Sequence, residues 1–183
     1  LKSSAALSCA ALRALNSCSW TGLSNSEITD LSVKSQLSSK CSITGSMDDS
    51  WACLEPGWKL VDPKCSASES VIIQGDMDHN LSVLICERGK RSSVVSQVNF
   101  TKQRQIFERT LASIMGGSPL DALSSNGMAV AASLGDHEAL RISNSCIASG
   151  AVASGISGSG PSIAIVCYDE DIEKISQKIS EMG

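Results

Sequence analysis

Aromatic side chains are scarce in this 183-residue chain, where three Trp, two Phe and one Tyr amount to 3% of the residues. Nucleic-acid platforms need such rings beside a dense Lys/Arg stripe, and neither is present, so nucleic acid is excluded as a partner. The balance of 19 acids against 15 bases, a net charge of -4, agrees. Long apolar runs are lacking too. The strongest, such as Ile163 to Cys167, fall far below the roughly 20 residues that cross a bilayer. No charged segment followed by an apolar one stands at Leu1, so no leader is read there. Of the two histidines, His79 sits in a polar turn and His137 in the first turn of an expected helix, and neither is read as catalytic. The eight cysteines never form C-x-x-C and have no histidine at zinc-finger spacing. They are expected to be free thiols that pack as small hydrophobes, in a chain that works in a reducing cytoplasm without a membrane partner.

What is present is a 42% apolar content without a single-sign charge block, which predicts a folded core. Ser3 to about Asn16 reads as a helix of small residues suited to burial on nearly all sides. Ser24-Asn25-Ser26-Glu27 is a capping box that opens a second helix, with Ile28, Leu31 and Leu37 expected on its inner side. Strands are expected near Ala52 to Glu55, Trp58 to Asp62, Val71 to Gln74 and Leu81 to Cys86. Helices follow over Ser96 to Met115, from Ser118-Pro119 to Gly135, and over Asp136 to Ser149. Two strands joined by Gly158-Ser159-Gly160-Pro161 then lead through three acids into a helix striped by Ile172, Ile175 and Ile179. Strands and helices come in blocks, which predicts an α+β architecture. Trp20, Trp51 and Trp58 are read as packing residues.

Three segments can carry chemistry. Leu1-Lys2-Ser3-Ser4-Ala5-Ala6 enters a helix whose unpaired N–H groups and positive dipole end suit phosphate oxygens. Lys2 adds a charge, and a hydroxyl of Ser3 or Ser4 can reach Mg2+; two serines that merely cap an Ala-rich helix look the same. Thr44-Gly45-Ser46-Met47-Asp48-Asp49 pairs carboxylates that can act as a general base or as metal ligands, and it also has the composition of an ordinary turn. Gly150 to Pro161 spaces its glycines as an anion-binding nest does, and as a hairpin does.

In this order and at these separations the segments resemble the GHMP small-molecule kinases, and within them the archaeal type of shikimate kinase. Leu1-Lys2-Ser3-Ser4-Ala5 is similar to the end of the family's G-L-K-S-S-S-A loop, and Thr44 to Asp49 to its T-G-A-[YF]-D-D. Ser125-Asn126-Gly127-Met128 resembles a family N-G segment, and Gly150 to Pro161 the glycine-rich third motif. The resemblance implies ATP-dependent, Mg2+-assisted phosphorylation of the shikimate 3-hydroxyl. It implies that Lys2, Ser3 and Ser4 hold ATP phosphates, with Ser4 a Mg2+ ligand, and that Gly158, Ser159 and Gly160 support the phosphates. Asp49 would be the catalytic carboxylate, with Thr44, Gly45 and Asp48 at the substrate. The implied fold is GHMP kinase-like, with residues 1–50 the remainder of an N-terminal ATP-binding domain and 51–183 a ferredoxin-like C-terminal domain. Because Leu1 falls inside the phosphate loop, the chain is expected to begin part-way through that domain and to have little activity alone. The family's acid eleven positions before the catalytic aspartate is replaced by Ser38, so that either another acid, such as Glu27 or Asp30, reaches the metal or the metal site is weakened. A homoserine kinase, or a silent relative that binds a metabolite, is the alternative.

Overall fold

Serine and alanine dominate α1 (Ser3–Ser19), the first element of a computed structural model that describes residues 3–42, 45–89, 97–158 and 160–182. The chain divides into two compact units, Leu1–Met77 and Asp78–Gly183, and residues 51–77 are compact with the first. Burial of α1 on nearly all sides is not observed. Ala5 and Cys9 are buried while Leu7 is 73% and Leu15 62% exposed, because its packing partners in this unit lie along one stripe.

The capping box forms as read. Ser24 Oγ accepts from the Glu27 N–H at 3.3 Å, and the Ser24 N–H donates to the Glu27 carboxylate at 2.9 Å, starting α2 (Asn25–Ser38). Its inner stripe differs from the expected one. Ile28, Thr29, Ser32 and Gln36 are buried, whereas Leu31 and Leu37 are exposed. The i, i+4 row 28–32–36 is the row that meets α1 and the next helix, so polar groups are buried and must satisfy one another.

That next helix, α3 (Asp48–Leu54), replaces the strand expected over Ala52 to Glu55. Met47, Trp51 and Leu54 recur at i, i+4 and i+7 and are all buried, the helical period. Gly57 then turns the chain at φ +81°, where a Cβ would stand 2.4 Å from the Gly75 carbonyl oxygen. β1 (Trp58–Val61), the short α4 (Ala67–Ser70) and β2 (Val71–Gly75) complete the unit, with β1 and β2 antiparallel. Trp51 packs with Met47 and Ala67, and the Trp58 ring lies over Gly75. Trp20 does not pack: it is 92% exposed.

The second unit is built on an antiparallel sheet of β3 (Leu81–Cys86), β4 (Ala153–Ile156) and β5 (Ile163–Tyr168), with β5 central. Register runs from Leu81 opposite Tyr168 to Cys86 opposite Ile163. The helix expected over Ser96 to Met115 is, within the described residues, two helices, α5 (Gln97–Lys102) and α6 (Arg104–Met115). The break at Gln103 lets Phe100 and Phe107 stack with centroids 6.1 Å apart. α7 (Pro119–Leu134) ends on left-handed Gly135, and Asp136 caps α8 (His137–Ala148). A 3-10 turn at Asp169–Asp171 leads into α9 (Ile172–Met182), whose Ile175 is fully buried against Ile142, Cys146, Ile163 and Ile165. The α+β block arrangement is as expected. None of the eight cysteines forms a disulfide; Cys9, Cys146 and Cys167 are buried as small hydrophobes, while Cys18, Cys41 and Cys53 are exposed.

Candidate active site

The first unit brings two of the singled-out segments together. Ser4, in the first turn of α1, hydrogen-bonds through its hydroxyl to Gln36 Oε1 of α2 at 3.0 Å. The amide nitrogen of Gln36 reaches Ser32 Oγ at 3.2 Å and Ser50 Oγ at 3.3 Å. Ser50 follows Asp49 in α3. One buried amide therefore joins the start of α1 to the helix that opens with Asp48 and Asp49. Asp48 is exposed and Asp49 half-buried, both in the first turn of α3, where the helix dipole stabilises negative charge.

Gly45 precedes them at φ +67°, and a Cβ there would stand 3.3 Å from the Leu37 methyls. Its N–H donates to Ser42 Oγ at 3.0 Å. Lys2, Thr44 and Ser159 lie outside the described residues; Ser3 contributes the first helical position of α1. Ser38 is exposed at the end of α2. Neither acid offered in its stead stands at Ser4. Glu27 serves the Ser24 cap, which holds its carboxyl below the usual range, and lies nine residues from Gln36, about 13 Å along a helix. Asp30 Oδ1 accepts the Ala67 N–H at 3.0 Å. The residue beside Ser4 is Gln36, an amide and not an acid. Its signal is the polar i, i+4 pair it forms with Ser32.

The donor set bears on Mg2+. Among the described residues no group of three His, Cys, Asp or Glu side chains could hold a metal by itself. A hydroxyl and an occasional carboxylate nevertheless fit Mg2+, which takes few protein ligands when nucleotide phosphates supply oxygens.

In the second unit the glycine segment forms the β4–β5 turn. Gly158 and Gly160 take positive φ of 58° and 77°, and the Gly160 N–H donates to the Ser157 carbonyl at 3.0 Å. Arg88 braces this turn. Its guanidinium donates to the Pro161 carbonyl at 3.2 Å and, as a fork, to both Asp136 oxygens at 2.8 Å. Arg88 holds the Asp136 carboxyl below its ordinary range, helped by the Ala139 N–H that Asp136 caps. Behind the turn, Gly127 of α7 lies against Gly155 of β4, so closely that a Cβ on Gly127 would stand 2.4 Å from the Gly155 Cα. Burial pushes the Cys146 and Cys167 thiols up, away from nucleophilic use.

Comparison with known proteins gives a consistent result. The model of the GHMP kinases N terminal domain matches residues 1–57, and that of the GHMP kinases C terminal matches 137–183. A shikimate kinase of Methanobrevibacter smithii is 29% identical over 160 residues, 87% of this chain and 54% of that protein. One from Methanothermobacter thermautotrophicus is 26% identical over 147 residues, 79% of this chain and 48% of that protein. The chain thus spans about half the length of the curated relatives it matches. Among solved structures, a homoserine kinase from Cytophaga hutchinsonii superposes with a TM-score of 0.62 at 17% identity, covering 92% of this chain and 56% of that one. A putative homoserine kinase from Listeria monocytogenes gives 0.60 at 14% identity, covering 95% and 60%. At those identities the likeness concerns the fold.

Proposed function

This chain belongs to the GHMP kinases, and on that premise we propose that it forms part of an ATP-dependent kinase acting on the 3-hydroxyl of shikimate. The observation that carries the reading is the hydrogen-bonded path from Ser4 through Gln36 to Ser50, which ties the start of α1 to the helix headed by Asp48 and Asp49. The names of the two archaeal relatives support shikimate as the acceptor.

In this reading the free N–H groups at the start of α1 bind nucleotide phosphate, with Lys2, Ser3 and Ser4 around it. Gly158, Ser159 and Gly160 are assigned to phosphate on the same resemblance. Mg2+ bound with the nucleotide would neutralise charge on the β- and γ-phosphates, and Ser4 Oγ would be among its ligands. Asp49 orients the acceptor hydroxyl and takes its proton as the new O–P bond forms and the bond from γ-phosphorus to the β-bridging oxygen breaks, releasing ADP. Asp48, Gly45 and Thr44 line the acceptor side. Positioning accounts for most of such catalysis, which is the role that a rigid tie between α1, α2 and α3 serves.

A silent metabolite-binding relative is the second reading, favoured by Gln36 standing where an acidic side chain beside Ser4 would serve the metal directly. ADP release from the full gene product, measured with shikimate and with homoserine, separates the two. Shikimate-dependent release is expected, and Asp49→Asn should lower kcat by at least about 100-fold. Release with homoserine alone would overturn the acceptor assignment, and ligand binding without any ADP at high Mg2+ would favour the silent reading.

A further inference from the structure

We propose that Gln36 is a positioning residue that commits the Ser4 hydroxyl proton and thereby leaves the Ser4 lone pairs free for a nucleotide-bound divalent cation; the inference rests on the kinase reading above. The hydrogen bonds around the Gln36 amide lead to it. Ser8 Oγ stands 3.1 Å from the Ala5 carbonyl and 2.6 Å from Ser32 Oγ, and a hydroxyl proton of Ser8 or of Ser32 bridges the shorter contact. Ser32 Oγ accepts from Gln36 Nε2 at 3.2 Å and shares a hydrogen bond with Ser50 Oγ at 3.0 Å. The same edge of the amide also faces Ser50 Oγ at 3.3 Å.

In the structure the amide turns its nitrogen inward to these two hydroxyls and Oε1 towards Ser4. Gln36 is 7% exposed and Ser32 and Ser50 are fully buried, where an unpaired polar group is costly. Carbonyl oxygen Oε1 only accepts, so the Ser4 hydroxyl must donate to it at 3.0 Å. Its lone pairs are left for another partner. A hydroxyl that coordinates a cation needs this arrangement, a proton given elsewhere and an oxygen free. Gln36 does not touch the metal in this account. Groups that orient a ligand in this way typically change metal affinity by tenfold or more when removed.

The test uses the full gene product with ADP as the probe, titrated calorimetrically with Mg2+ and again in EDTA. Gln36→Met keeps the side-chain length and removes the acceptor. It should weaken Mg2+-dependent ADP binding about tenfold, leave binding in EDTA unchanged, and raise the Mg2+ needed for half-maximal rate without moving KM for the acceptor alcohol. Gln36→Glu keeps an acceptor for Ser4 and should bind Mg2+ with ADP at least as tightly as the wild type. In a Ser4→Ala background Gln36→Met should cost nothing further. Equal losses with and without Mg2+, or a Gln36→Met protein that binds as the wild type does, would overturn the inference while leaving the kinase reading intact. Should Gln36→Met fail to fold, weaker Mg2+-dependent binding by Gln36→Glu would overturn it. A wild-type gene product that binds no ADP overturns the kinase reading and this inference together.

Discussion

Replacing Gly127 with alanine sets two effects against each other, and the structure decides between them. In an exposed helix interior the change would stabilise by about 1 kcal/mol, because alanine has the better helix propensity. Here the new methyl would stand 2.4 Å from the Gly155 Cα, 2.9 Å from the Ile156 nitrogen and 3.0 Å from the Gly155 carbonyl carbon. Carbon atoms rest about 3.5–4.0 Å apart, so α7 has to withdraw from β4 by more than about 1 Å. All three atoms are backbone of a strand paired to β5, and no side chain can rotate out of the way. Overpacking of this kind costs about 1–3 kcal/mol, and backbone against backbone belongs at the upper end. The net loss is about 2 kcal/mol, a fall in melting temperature of about 4–8 °C for a chain of this size. Thermal unfolding followed by far-ultraviolet circular dichroism reads it directly. An alanine variant that melts at or above the wild-type temperature would refute the close helix–strand contact.

The Arg88–Asp136 pair makes a pH-dependent prediction. Asp136 is depressed in the folded state, chiefly by its hydrogen bond to Arg88, so its stabilisation is present above the ordinary carboxylate range and disappears as pH falls through the lowered folded value. Asp136→Asn should cost about 2 kcal/mol at pH 7 in urea unfolding, with the gap from wild type narrowing as pH falls below the ordinary carboxylate range; a gap independent of pH would contradict this assignment. Ser24→Ala removes the acceptor for the Glu27 N–H and should cost about 1 kcal/mol. An unchanged melting temperature would show that the cap contributes nothing to α2.

Punctuation in the sequence located most of the elements. Ser24 and Glu27, Pro119 at the start of α7, Gly135 and the positive-φ Gly158 and Gly160 each carry a backbone requirement that local chemistry meets without help from distant residues. α3 is hard to read because Pro56-Gly57 follows so closely that a short run resembles an extended one, although Met47, Trp51 and Leu54 carry the helical period. The inner face of α2 is hard to read for a different reason. Hydrophobic periodicity points to Leu31 and Leu37, and it cannot show that serines from three helices will saturate one another around an amide. The candidate site was legible as motifs. What brought Ser4 towards α3, Gln36, had no motif because its partners are far apart in sequence. For Trp20 and the outer side of α1, residue type alone does not say which face meets a neighbour.

The seam of Ser8, Ser32, Gln36 and Ser50 has a thermal consequence. Hydration of exposed hydrocarbon raises heat capacity on unfolding, whereas hydration of polar groups lowers it. An interior stitched by hydroxyls and an amide therefore opens with a smaller heat-capacity change than a greasy one of equal area. Its cohesion varies less steeply between cold and warm conditions, so the spacing of the three helices around Ser4 is held by forces that cooling does little to weaken.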